Sequence, residues 1–304
     1  MHKILLGKSG LEIPTIAVGC MRIANMSEKQ VSEFVDTALQ NGANFFDHAD
    51  IYGGGMSETV FGKAVKGMPR QQLLIQTKCG IVPGKMFDFS YQHIINSVDA
   101  SLKRLNTDYI DVLLLHRPDA LVEPEEVAKA FDELRLKGKV RHFGVSNQNP
   151  YQMQLLQSFL DMPICANQLQ FSIMHAPMIQ SGINVNMYNN SAINRDGGVL
   201  DFCRLNNITI QPWSPMQFGF FEGVFVDNDK FPELNAVLDR LATKYNVSKT
   251  TIAIAWILRH PAKMQVVTGT TNKTRLCESF NATELKLTRE EWYEIYMAAG
   301  NILP

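Results

Sequence analysis

The stretch "FFDHADIYGGG", residues 45–55, brings a phenol, an imidazole and two carboxylates together as Tyr52, His48, Asp47 and Asp50, and a glycine triplet follows. Such a set admits three chemistries. Carboxylates and imidazoles hold a metal, glycines can cradle a phosphate, and a tyrosine beside charged groups can work as an acid–base catalyst. Two further residues bear on the choice: Lys78 in "QLLIQTKCG" and His116 in "YIDVLLLHRPD", each closing an apolar run.

Those apolar runs alternate with longer amphipathic segments, and the alternation says how the polar residues are positioned. "HKILLGKSGLEIP" reads as a starting hairpin turning at Gly-Lys-Ser-Gly. "TIAVG" (15–19) is a strand, and 26–42 is a helix with Ser27 as cap and Gly42 as stop. Strand "NFFDHAD" precedes a helix with Ser57 near its start, and strand "QLLIQTKCG" precedes the helix 90–106 capped by Ser90. The pattern continues to "MQVVTGT" and "KTRLCESFN", giving about eight strand–helix units, and "TREEWYEIYMAAG" closes the chain. Alternation of this kind implies a parallel sheet with helical crossovers. Eight units in a chain of 304 residues imply an α/β, (β/α)8 TIM barrel, with an N-terminal β-hairpin and extra C-terminal helices, as one domain over 1–304. The rival doubly wound sheet calls for G-x-G-x-x-G after its first strand, and no such pattern occurs. Residues 171–198, Asn-rich and without periodicity, read as a long loop after strand 6, on the side where barrel active sites form.

In such a barrel the chemistry sits at the C-terminal ends of the strands. The polar residues expected there are Asp47 and Tyr52 after strand 2, Lys78 after strand 3, and His116 and Arg117 after strand 4. Strands 5 to 8 add Ser146, Asn147, Asn167, Gln168, Trp213, Ser214, Gly269, Thr270 and Thr271. Asp47 and Lys78, on adjacent strands, are placed to pair, which keeps Lys78 charged when buried. A cationic Lys78 beside Tyr52 is expected to lower the tyrosine pKa and suit it to acid–base work. His116 is placed to orient a carbonyl oxygen or relay a proton.

At these residues the chain resembles the aldo-keto reductases, and the phrases "DHADIYGG" and "GKVRHFGVSN" resemble the YdhF-like bacterial oxidoreductase branch. The resemblance runs from "VGCMR" to Ser279 and implies a barrel that transfers hydride between a nicotinamide cofactor and a carbonyl or alcohol. It implies a catalytic tetrad of Asp47, Tyr52, Lys78 and His116. It also implies that Ser146, Asn147 and Gln168 hold the nicotinamide amide and that Trp213 stacks on its ring. Ser214, Pro215, Met216, Gln217 and Gly219 match the loop around the pyrophosphate. Gly269, Thr270, Thr271, Asn272, Arg275, Glu278 and Ser279 match the segment that holds an adenosine 2′-phosphate, and Gly19, Cys20, Met21 and Arg22 line the cofactor after strand 1. The Cys20 thiol itself reads as packing. Met21, Phe87 and Phe171, with Tyr52 and His116, are expected to wall the substrate pocket.

Many members of that family carry Lys where this chain has Gly269, which removes one cationic partner of a 2′-phosphate. Arg275 remains and can bind a phosphate as a fork, so NADP(H) is expected in preference to NAD(H). The short C-terminal tail leaves the pocket open, formed by residues after strands 1, 3, 4 and 6. The alternatives are a metal-dependent hydrolase using Asp47, His48, Asp50 and His116, a Schiff-base aldolase using Lys78, and a cofactor-sensing barrel without turnover. Strand alternation turns His48 away from Asp47 and disfavours the first. An Asp47 that keeps Lys78 protonated disfavours the second. No metal is expected.

Composition bounds the partners. Lys and Arg number 29 against 30 Asp and Glu, a net charge of −1, which leaves no footprint for nucleic acid. Five cysteines without C-x-x-C spacing suit a reduced, cytoplasmic protein. No apolar run reaches the length of a membrane span. The expected partner is a small carbonyl compound.

Overall fold

The computed structural model describes residues 1–304. Eight parallel strands make up one sheet: β1 (Ile16–Gly19), β2 (Phe45–Asp47), β3 (Leu74–Cys79), β4 (Ile110–Leu115), β5 (Val140–Ser146), β6 (Ile164–Gln170), β7 (Thr209–Trp213) and β8 (Val266–Thr268). From β1 to β7 each strand pairs in parallel with the next, and β8 pairs with β1, Val266 opposite Ile16. A backbone bond from Gln265 N to the Ile210 carbonyl, 3.1 Å, joins β7 to the start of β8 and closes the ring. The (β/α)8 barrel follows from the alternation in the sequence.

Eleven helices are present: α1 (Glu28–Gln40), α2 (Met56–Ala64), α3 (Tyr91–Leu105), α4 (Pro124–Leu136), α5 (Pro150–Gln157), α6 (Pro177–Ile183), α7 (Val199–Asn206), α8 (Pro232–Tyr245), α9 (Lys249–Leu258), α10 (Lys273–Asn281) and α11 (Arg289–Ala298). Their starts obey the sequence signals. Ser27 caps α1 in a reciprocal box with Gln30, and Ser90 accepts from the His93 N–H at α3. At α2 Ser57 is near the helix start as expected, but the helix begins after Gly55 with no side-chain cap, and the Ser57 hydroxyl is directed at the Met21 carbonyl, 3.4 Å.

The main core lies between barrel and helices, and Trp256 and Trp292 stack there at 4.8 Å with each indole N–H donating to the other's backbone carbonyl. A second, smaller cluster fills the barrel floor. There the hairpin Lys3–Leu5 and Glu12–Pro14 brings Leu6 and Ile13 under Phe45, Val112 and Leu114.

Two expectations about loops change. Residues 171–198 are not one long loop: α6 and a short turn, Asn190–Ala192, occupy part of it. Its asparagines satisfy turn backbone. Asn189 accepts from Ala192 N–H, and Asn194 accepts from the N–H groups of Asp196, Gly197 and Gly198. Two short hairpins over the barrel mouth, Ile81–Val82 with Met86–Phe87 and Gln217–Phe218 with Gly223–Val224, have no counterpart in the sequence reading. No helix is long and apolar enough to cross a membrane.

Candidate active site

The site is built on strand alternation. In β3, Gln76 and Lys78 point into the barrel while Thr77 and Cys79 point at the helices, so Lys78 meets Asp47 from β2. Lys78 Nζ donates to both Asp47 oxygens at 2.8 Å, to the His48 carbonyl at 2.7 Å and to Tyr52 Oη at 3.3 Å. Lys78 is fully buried. Burial alone would drive its proton off, but Asp47 and Tyr52 together hold its pKa above the ordinary value.

Tyr52 reaches this position through the glycine triplet. Gly53, Gly54 and Gly55 all have positive φ, at 59°, 63° and 90°. A Cβ on Gly53 would meet the Ala24 methyl at 2.5 Å, and one on Gly55 would meet Arg104 Cδ at 2.8 Å. Three consecutive left-handed residues turn the chain sharply into α2, and L side chains rarely adopt that conformation. The expected lowering of the Tyr52 pKa is not what the environment produces. Burial raises it, Lys78 pulls it down, Asp47 pushes it up again, and the result lies above the ordinary value. The main reason is the burial of the phenol, and Asp47 offsets part of the lysine's pull.

His116 packs edge-on to Tyr52, ring centroids 6.0 Å apart. Burial, then Lys78 and Arg117, push its pKa well down, so the ring is neutral. Its Nδ1 is buried and has no hydrogen-bond partner. Asp47 also anchors a ladder of amides across the barrel. Gln76 and Gln168 both donate to Asp47 Oδ1, at 2.6 and 3.1 Å, and Gln211 links Gln76 to Gln265. The amide nitrogen of Gln168 is thereby turned inward.

A cleft of ≈ 1570 Å³ runs from Tyr52 and His116 across the barrel mouth to α10. Ser146, Asn147 and Trp213 edge it and bond one another: Asn147 donates to Ser146 Oγ at 2.7 Å, and Trp213 Nε1 donates to Asn147 Oδ1 at 3.2 Å. Trp213 is no bare platform, because Phe221 stacks on it at 5.8 Å and Phe220 meets it edge-on at 6.3 Å. Gly19, Met21 and Arg22 line the cleft, with Ser214, Pro215, Met216 and Gln217 on the opposite wall. At its far end stand Gly269, Thr270, Thr271, Asn272, Arg275, Glu278 and Ser279, and Asn272 caps α10. At Gly269, Arg22 Nη1 donates to the carbonyl at 2.9 Å, and a Cβ there would meet the same nitrogen at 2.7 Å.

Several sequence assignments fall outside the cleft. Cys20 is buried with Sγ against the Val18 carbonyl, because alternation turns it from the mouth. Gly219 does not line the cleft either: its carbonyl accepts from Gln170 Nε2. Phe171 is fully buried against Trp256, ring centroids 5.5 Å apart. Phe87 is 45% exposed and does not line the cleft, whereas Ile81, opposite it in the hairpin, does. Beyond Gln168 neither β6 nor residues 171–198 line the cleft, so strand 6 contributes less than expected. Lys78 stands behind Asp47 and Tyr52, not at the surface of the cleft. His48 faces away from Asp47, edge-on to Phe61 at 4.5 Å, so the four possible metal ligands do not converge. Among residues without an assigned role, Arg117, Ile51, Phe221 and Lys249 line the cleft. Arg117 had a signal, its place after His116 at a strand end. The others arrive on loops and helices whose approach no local pattern encodes.

The cleft fits an extended dinucleotide. One end offers a buried phenol and a neutral imidazole, the middle offers hydroxyl and amide groups, and the far end offers a guanidinium and a helix N-terminus suited to phosphate.

The aldo/keto reductase family model matches residues 15–298. A 6-dehydroglucose reductase of Agrobacterium fabrum is 34% identical over 98% of both chains. The oxidoreductase YdhF of Escherichia coli is also 34% identical over 98% of both chains. Among solved structures, a thermostable aldo-keto reductase crystallised with the inhibitor epalrestat superimposes with a TM-score of 0.78 at 28% identity, covering 98% of this chain and all of that one. With the barrel closed and the cleft in place, these likenesses meet in one conclusion: the chain belongs to the aldo/keto reductase family of oxidoreductases.

Proposed function

We propose that the protein reduces aldehydes or ketones to alcohols with NADP(H), using Tyr52 as proton donor, Lys78 and Asp47 as its electrostatic support and His116 to orient the carbonyl. The observation that carries this reading is the buried chain Asp47–Lys78–Tyr52, with contacts of 2.8 and 3.3 Å, ending beside a neutral His116 at the floor of the cleft.

Ser146, Asn147 and Gln168 would hold the nicotinamide amide, Trp213 would lie against its ring, and Arg275 with the α10 N-terminus would take the 2′-phosphate. When bound, the cofactor supplies the hydride. The chain's own residues handle the oxygen. A carbonyl oxygen between Tyr52 Oη and His116 gains negative charge as hydride arrives, and fixed donors stabilise that charge most where water is excluded. Tyr52, its pKa above the ordinary value, is protonated at neutral pH and gives its proton to that oxygen. The tyrosinate left behind faces the Lys78 ammonium. The neutral His116 donates a hydrogen bond without a proton being transferred. Reduction is therefore flat through neutral pH, while alcohol oxidation, which needs tyrosinate, speeds up as the medium becomes alkaline.

The test is turnover on an aldehyde and ketone panel with NADPH and with NADH. The name of the Agrobacterium relative makes a sugar-derived aldehyde a first member of that panel. Tyr52→Phe is expected to lose about 10³-fold in turnover while NADPH still binds, measured by quenching of tryptophan fluorescence. A variant within tenfold of wild type would remove Tyr52 from the proposed role.

A further inference from the structure

Arg117 follows His116 and lines the cleft, half-buried. Its guanidinium lies over the Trp213 ring at 5.7 Å and over the Phe220 ring at 5.9 Å. It forms no ion pair and no hydrogen bond with any protein group, and two aromatic rings lie beside it. Rings stacked on a guanidinium leave its N–H edge free, and that edge matches a carboxylate in two-point geometry. The position is also close to the chemistry, since the Arg117 charge is felt at His116 and a tyrosinate at Tyr52 would be felt at Arg117.

The local charge balance points the same way. Lys78 is neutralised by Asp47, His116 is neutral and Tyr52 is protonated at neutral pH. Arg117 is thus the one uncompensated charge at the reacting end. A cation drawn partly out of water needs either a counter-ion or a reason to wait for one. The surrounding wall is aromatic: Trp213, Phe220 and Phe221. At the reacting end the cleft pairs an aromatic wall with one cation that has no ion partner.

We propose that Arg117 anchors the substrate through an anionic group and that the preferred substrates are aldehydes or ketones bearing a carboxylate beside an apolar or aromatic spacer. This rests on the carbonyl-reductase reading above. Arg117 then sets orientation and specificity, and Tyr52 and His116 act on the carbonyl.

The experiment compares 3- and 4-formylbenzoate with their methyl esters, which keep shape and carbonyl but lose the charge. In wild type at low ionic strength, kcat/KM for the better acid is expected to exceed that of its ester by at least about tenfold, equivalent to about 1.4 kcal/mol. The ratio shrinks only modestly with added salt, because a half-buried pair is screened less than an exposed one. Arg117→Met brings the acid-to-ester ratio to about 1, and Arg117→Lys retains part of it. Because both substrates are measured on the same protein, a poorly folded variant changes both rates and leaves the ratio meaningful. The proposal is overturned by a wild-type ratio near 1, or by an Arg117→Met variant that lowers acid and ester equally. Failure to reduce any of the four compounds, or the sugar aldehyde, would instead remove the carbonyl-reductase reading itself.

Discussion

The two sides of β2 and β3 both bury charge, under opposite conditions. On the inner side, Asp47 and Lys78 form a pair that ends at Tyr52 and opens onto the cleft. On the outer side, Glu58 from α2 is fully buried, accepting from Thr77 Oγ1 at 2.5 Å and from Arg104 Nε at 2.7 Å. Asp50 and His48 join this outer group. Burial, then Glu58, push the Asp50 carboxyl up to about 7, and burial drives His48 down to about 3. Judged by titration alone, the outer side looks more like an active site than the inner one. It does not reach the cleft: none of Glu58, Arg104, Asp50 or His48 lines it. Perturbed ionisation marks burial, and access to the cleft decides which buried charges can meet a substrate.

Lys78→Met probes this contrast with the largest effect. It strands Asp47 without its cation, so stability is expected to fall by about 3–5 kcal/mol and turnover by about 10²–10⁴-fold, read by urea unfolding and by aldehyde reduction. Arg104→Met is the matching change outside. It strands Glu58 and is expected to cost about as much stability, but turnover per folded molecule stays within about twofold. If Arg104→Met cut turnover as deeply as Lys78→Met, the separation between the two sides would be wrong.

The smallest and sharpest effect concerns pH. Between about pH 4 and 7 the folded protein keeps a proton on Asp50 that the unfolded chain has released, so raising the pH costs stability. Between about pH 3 and 6.5 the unfolded chain binds a proton on His48 that the folded protein refuses, so raising the pH restores stability. The two slopes oppose and nearly cancel from about pH 4 to 6.5. Asp50→Asn is expected to make stability rise more steeply with pH there than in wild type, by up to about 1.4 kcal/mol per pH unit. His48→Phe shifts the slope the other way by a similar amount. Melting temperatures across that range check both, and variants that track the wild-type slope would show that neither group is perturbed as its burial implies.

Much of this was legible in the chain. Strand–helix alternation specified the barrel, and a period of two along each strand turned Asp47 inward and His48 outward. Helix caps at Ser27 and Ser90 were legible because capping is a local bond between side chain and backbone. Phe171 and Phe87 were misplaced for one reason: an aromatic residue near a strand end carries no label saying whether it faces the mouth or the core. The pKa of Tyr52 was misjudged because the pull of Lys78 was counted and the burial of the phenol, the largest push on it, was not. The asparagines of 184–194 looked structureless because turn bonds have no periodicity.

By itself the sequence determined which residues could form an acid–base chain, because that depends on residue type, spacing and the pleat of a strand. Only the tertiary structure decided that Tyr52 is buried deeply enough to raise its pKa, that Arg117 has no ion partner, and that Trp213 already carries Phe221. Those facts are sums over groups distant in the chain, and burial and partner count exist only once the barrel has closed around them.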